Sequence, residues 1–184
     1  MSWLWIVLGG IGAILVLFVL WSILGLFSVR VRELQLKLTG TDKSPQFLSN
    51  QAAIEINMGR YEQALDLADR ALRFDPKLLA ALANRALALD ALQRWEDAEK
   101  AYREVVQRDP ECKLAWYNCG VILVNLHKPQ EAEKAFRQAI KIDERFWQPW
   151  HNLAALLQSL NRNQEADECM RRANELRTAR PVAV

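Results

Sequence analysis

The chain has 184 residues, 25% of them charged and 51% apolar, with a net charge of +2. That length suits one modest domain with something added to it. The near balance of charge speaks against a nucleic-acid binder and against a protein built around an acidic tail.

The apolar excess lies at the amino terminus. From Trp3 to Val29, 27 positions pass without a charged residue. About 20 residues suffice to cross a bilayer core of about 30 Å as a helix. Residues 1–29 are therefore expected to form a transmembrane anchor, spanning the membrane over residues 3–29, with Trp3, Trp5 and Phe27 near its ends. A cleavable signal peptide would need a basic start, a shorter apolar run and a small-x-small cleavage site. Here no Lys or Arg precedes the run, and no Ala-x-Ala follows it. No Cys ends the run, which removes the lipoprotein reading. Arg30, Arg32 and Lys37 come next. The positive-inside rule then places the remainder in the cytoplasm, or in the stroma of a plastid. Gly9, Gly10, Gly12 and Ala13 form a small-residue surface that would permit close helix contact. Gly is common in membrane helices in any case.

Residues 30–44 read as a juxtamembrane helix, VRVRELQLKL, followed by a linker. TGTDKSP carries turn chemistry, and Pro45 suits the first position of a new helix.

Beyond the linker the sequence repeats with a period of 34. Leu48, Leu82, Trp116 and Trp150 form one series; Ala64, Ala98, Ala132 and Ala166 a second; Asn50, Asn84, Asn118 and Asn152 a third. The units are expected at 45–78, 79–112, 113–146 and 147–177, together a domain over 45–177, with a tail over 178–184. In the second unit, a helix over Leu79–Leu92 and another over Glu96–Gln107 flank a tight Gln93-Arg94-Trp95 connection. Asp109-Pro110 closes that unit, because Pro cannot continue a helix. Gly59 is expected to end the first helix of unit one in a left-handed conformation. Pro129 should open the second helix of unit three. Glu144 stands where the first two units have a closing Pro, so that junction is expected to be less firmly punctuated.

A 34-residue helix–turn–helix carrying Trp116, Gly120, Ala132, Phe136, Ala139 and Asp143 resembles the tetratricopeptide repeat family. The resemblance runs from about Pro45 to Arg177. It implies an α-solenoid of about four helix–turn–helix units, which with the apolar run makes the expected chain all-α: one N-terminal transmembrane helix, then the solenoid. Small residues (Ala52, Ala86, Gly120, Ala154) should let paired helices approach, while Trp116, Trp150, Tyr102 and Phe136 should fill the gaps between units. No unit covers its own apolar face, so neighbours must stack. The last helix is rich in charge and must serve as its own cap, with Met170 and Leu176 as the residues to watch.

The resemblance further implies that the inner face, built by the first helix of each unit, binds an extended peptide or a partner helix. The residues expected there are Asn50, Asn84, Leu87, Leu114, Tyr117, Asn118, Val121, Val124, His151 and Asn152. An apolar strip of this kind marks an interaction site. The Asn amides could donate to and accept from a peptide backbone. The competing reading is that these Asn residues satisfy neighbouring helix ends and that loops cover the strip. Family members that grip a terminal carboxylate do so with Lys or Arg on this face. The matching positions here hold Ser49, Ala53, Leu114 and Asn118 or, one unit on, Ala83, Leu87, Gln148 and Asn152; only the Asn residues match, so that mode is not expected.

Catalysis finds little support. His127 and His151 have no matched carboxylate or nucleophile, and no Gly-rich phosphate loop appears. Cys112, Cys119 and Cys169 lack CxxC spacing, which argues against zinc or a disulfide framework and suits a reducing compartment. No catalytic residue, metal site or cofactor is expected. The expected partner is a protein, with the membrane contacted through residues 3–29 and no nucleic acid. Homo-oligomerisation could run through the small-residue helix face or the last repeat. An N-terminal anchor followed by repeats is similar to photosystem I assembly factors. It is also similar to bacterial inner-membrane adaptors that regulate envelope synthesis through a membrane protease, although those are longer and usually end in a metal-binding Cys module. An organellar import receptor is a third class, and a self-associating structural module a fourth reading.

Overall fold

The computed structural model describes residues 44–179, which hold eight α-helices. They pair as α1 (Pro45–Asn57) with α2 (Tyr61–Phe74), α3 (Leu79–Ala91) with α4 (Trp95–Arg108), α5 (Lys113–Asn125) with α6 (Pro129–Ile142), and α7 (Trp147–Ser159) with α8 (Asn163–Thr178). Each helix packs on its neighbours in the chain, and α1 also meets α3, as α5 meets α7. The arrangement is a solenoid of helix pairs. The expected membrane helix over 3–29, its juxtamembrane continuation over 30–43 and residues 180–184 lie outside the described residues. Among the described residues, no helix is long and apolar enough to cross a membrane.

The odd-numbered helices are apolar around most of their circumference, while α2, α4 and α6 are sharply amphipathic. The first kind forms the inner layer and the second turns a charged face outward. Small residues sit where the layers touch. Ala52, Ala86 and Ala154, with Ala64, Ala98, Ala132 and Ala166, are all buried. Gly120 shows why size is limiting there. A Cβ on it would lie 2.6 Å from the ring of Phe136, which has no solvent exposure. Tyr102 and Phe136 fill the core as expected, but Trp116 and Trp150 are only half-buried. Their indole N–H groups donate to the carbonyls of Pro110 (2.8 Å) and Glu144 (3.1 Å), which ties each Trp to the turn before its helix.

Every odd-numbered helix ends in the same way. Gly59, Gln93, His127 and Asn161 take positive φ, and they are spaced by 34. The next residue's N–H reaches back five positions: Arg60 to Glu55, Arg94 to Leu89, Lys128 to Leu123 and Arg162 to Leu157, at 2.8–3.0 Å. This is a Schellman closure, which satisfies carbonyls left over at the helix end. Only the first unit uses Gly, so this turn does not depend on it. Trp95, expected in the connection, is the first residue of α4. Pro129 opens α6 as expected, since its missing N–H would have had no partner in the first turn.

The junctions between units correct one expectation. The side chains of Asp75, Asp109 and Asp143 each accept from the backbone N–H two residues on, at 2.9, 3.2 and 2.9 Å. Asp143 makes that turn with Glu144 after it as readily as the other two with Pro. It is the Asp that shapes the junction, and a Pro following it is dispensable. At the far end, α8 buries Ala166, Cys169 and Ala173 and leaves Met170 and Leu176 half-buried.

Candidate protein-binding groove

A pocket of about 330 Å³ opens between α5 and α7, with the buried Phe136 ring at its base. Val121, Val124 and Asn125 line it from α5; Asn152, Ala155, Leu156 and Ser159 line it from α7. It brings together three of the residues expected from the sequence: Val121, Val124 and Asn152. The helix repeat explains the convergence, since positions three and four apart share a face. Leu87, one unit before Val121, is 38% exposed, and Val124 is 40% exposed. Leu114 is more exposed than either, at 55%.

The other expected residues divide into surface and packing roles. Asn50 is exposed and accepts from Gln46 at 3.5 Å. His151 is exposed and lies edge-on to Trp147, ring centroids 6.2 Å apart. Tyr117 is half-buried, with its ring 5.3 Å from Phe146 and 6.2 Å from Phe136. Its ring packs on both of these rings, and its hydroxyl accepts from Asn152.

The Asn series acts as a set of internal ties. Asn84 donates from Nδ2 to the carbonyl (2.8 Å) and hydroxyl (3.2 Å) of Ser49, linking α3 to α1. Asn152 donates to the Tyr117 hydroxyl at 3.3 Å, linking α7 to α5. The position that supplies Ser49 and Tyr117 holds Ala83 in unit two, and Ala offers no acceptor there. Asn118 turns instead to the Tyr102 hydroxyl on α4, at 3.2 Å. The equivalents of Tyr102 in the other units are Ala68, Phe136 and Met170, none of which has a hydroxyl. Burial and the nearby Asp90 raise the Tyr102 phenol, so it stays protonated. The amide hydrogens expected to meet a peptide are in part committed within the fold.

Asp90 falls on the same inner face by its position in the unit, and it is the residue there that breaks the recurring pattern. It sits one turn after Leu87, where units one, three and four hold Ile56, Val124 and Gln158. It is half-buried, and desolvation raises its pKa above the ordinary aspartate value. The signal was a carboxylate at a position where the other units are uncharged.

On the opposite face, charge is compensated with the same period. Glu99 accepts from Arg103 (2.8 Å) and Lys128 (2.6 Å), and Arg103 also reaches Glu131 at 2.6 Å. Thirty-four residues on, Glu133 accepts from Arg137 (2.9 Å) and Arg162 (2.7 Å), and Arg137 reaches Glu165 at 3.4 Å. Burial works against ionisation of Glu99 and Glu133, but the paired cations outweigh it and hold both below the usual glutamate value. At the first junction Leu65 replaces the glutamate and the cluster is missing. A cavity of about 520 Å³ lies on this side, between Arg103, Trp116, Glu131 and Lys134. Cys119 on its floor is buried, which pushes the thiol up to about 11. All three cysteines are free.

Two family models, both described as tetratricopeptide repeat, match this chain, one over residues 49–110 and 83–145 and the other over 148–179. No curated protein matches it. Among solved structures, one described as a crystal structure of MamA superposes with a TM-score of 0.74 at 15% identity, covering 82% of this chain and 86% of that one. A MamA RS-1 double mutant gives 0.74 at 20% identity, covering 80% and 83%. A MamA fragment, 41-end, from Desulfovibrio magneticus RS-1 gives 0.72 at 18% identity, covering 76% and 79%. At these identities the likeness is one of fold. With α1 to α8 stacked as four helix pairs and the family models running through all of them, the chain belongs to the tetratricopeptide repeat family.

Proposed function

We propose that this chain is a non-enzymatic scaffold, held at a membrane by residues 3–29, that recruits a partner protein through the face built by α1, α3, α5 and α7. The observation that carries the reading is the apolar strip Leu87, Val121 and Val124, which stays accessible on the face where the pocket between α5 and α7 opens, with Leu114 exposed beside it. A family of protein-interaction modules supplies the context. The uncharged run from Trp3 to Val29 supports the anchor, and Arg30, Arg32 and Lys37 support a cytoplasmic or stromal solenoid. An assembly-factor role, of the kind the photosystem I factors fill, matches the layout of an apolar run followed by repeats.

The test is recovery of partners by the full-length protein from its own membranes in mild detergent. Leu87→Glu with Val124→Glu is the right variant pair. Tyr117 is a poor choice, because its ring and hydroxyl both serve the fold. Exposed positions tolerate such changes within about 0.5 kcal/mol. The expected result is loss of the partner with an unchanged melting temperature. A folded double variant that still recovers the same partner would rule the groove out.

A further inference from the structure

Building on that groove reading, we propose that Asp90 sets the groove's selectivity: it seats the ammonium or guanidinium group of a partner segment whose flanking side chains are apolar. The face has the right chemistry for such an occupant. Its apolar part is Leu87, Val121 and Val124, and the positions equivalent to Asp90 and Leu87 in the other units carry no charge. Asp90 is therefore the one fixed charge in the strip, and it is negative.

Its surroundings leave it unanswered. Among the described residues, every other carboxylate is either exposed or held by a cation or a backbone N–H. Asp90 is shielded and has neither. The charge of Asp90 is felt by Tyr102 on α4, whose hydroxyl accepts from Asn118, and no hydrogen bond joins Tyr102 to Asp90. A second unmatched acceptor on this face is Gln148, with Oε1 buried and unpaired. Asp90 and Gln148 thus leave acceptors on this face that a partner's donors can meet. A half-desolvated carboxylate is costly by itself, and a partner cation that reaches it forms a charge-assisted bond in a place water screens poorly. An acidic partner would meet like charge and be refused.

The experiment uses the full chain in neutral-lipid nanodiscs, with empty nanodiscs as the blank. The probes are a panel of synthetic amphipathic peptides, each made in two versions, with Lys or Gln inside the apolar face. Fluorescence anisotropy gives the affinities. Lys versions should bind about ten- to a hundredfold more tightly than their Gln counterparts. Asp90→Asn should erase that preference and leave binding of the Gln versions in place. Asp90→Glu should restore most of it, and added salt should shrink it. Equal binding of both versions to the native chain, or a Lys preference that survives Asp90→Asn, overturns the assignment to Asp90 and leaves the groove reading intact. Binding that persists in Leu87→Glu/Val124→Glu, or no binding by any peptide, overturns both.

Discussion

On the outer side of the solenoid, Glu99 and Glu133 each accept from two cations, and the pattern recurs after 34 residues. On the inner side, Asp90 accepts from none, and neither its position nor its isolation recurs. Both sides bear carboxylates shielded from water. What separates them is whether the fold itself supplies the partner. Where it does, the charge belongs to the architecture and follows the repeat. Where it does not, the charge belongs to something the chain meets. The two sides touch through the layer of small residues around Gly120, so they can be perturbed separately or together.

Perturbing them together gives the largest effect. Gly120→Val would push branched carbons into the Phe136 ring, which a bare Cβ already approaches to 2.6 Å. Removing Gly from a helix gains at most about 1 kcal/mol. Overpacking a closed core costs about 1–3 kcal/mol, and a β-branched residue against a buried ring belongs at the upper end. Thermal unfolding followed by circular dichroism should show a clear fall in melting temperature, and both sides of the solenoid should loosen. A variant as stable as the native chain would mean that Phe136 can withdraw, and that the small-residue layer is not a constraint.

Perturbing the outer side alone should be milder. Glu133→Gln keeps the shape but faces Arg137 and Arg162 with a neutral group. Hydrogen bonds to charged groups contribute about 1.5–3 kcal/mol, and this carboxylate is shielded enough for the lower part of that range to apply. Its pKa is depressed in the folded state. The stability it adds is therefore present above the unfolded glutamate value and lost as pH falls through the folded one. Chemical denaturation at neutral pH should separate the variant from the native chain, and the gap should close in strong acid. Partner recovery should be unaffected.

The repeat was legible because period 34 acts on what every unit must do: small residues between layers, an Asp at each junction, an apolar series on each first helix. The Schellman turns were legible only at Gly59. Gln93, His127 and Asn161 hold the same backbone without the residue that advertises it. The site was harder to read for a related reason. A recurring Asn looks like a binding ladder, yet Asn84, Asn118 and Asn152 have found partners inside the fold, and Asn118 found a different one because Ala83 lacks an acceptor. Asp90 breaks the period. A reading that looks for recurrence finds the scaffold first and the selective residue last. Val121, Val124 and Asn152 were within reach because the family resemblance assigns the first helix of each unit to the inner face, and helix spacing then puts Val121 and Val124 on one side of α5.

Perturbing the inner side alone should give the smallest change in stability and reverse its sign. The pKa of Asp90 is raised in the folded state. A raised carboxylate contributes nothing unfavourable below its unfolded value, about 3.9. As pH rises through the folded value the native state holds its proton longer than the unfolded chain, and stability falls. Asp90→Asn removes that loss. Tyr102 on α4, which feels the charge of Asp90, stays protonated across this range and does not confuse the comparison. Glu99, Glu133 and Asp143, all depressed, lose stability in the opposite direction, but they do so equally in both chains. The difference between variant and native chain isolates Asp90. Melting curves from acid to neutral pH should coincide at the acid end, and the Asn variant should then pull ahead as pH rises until the difference levels off. A variant that is less stable at neutral pH would mean that the fold does supply Asp90 with a partner. The contrast between the two sides would then fail at the residue on which it rests.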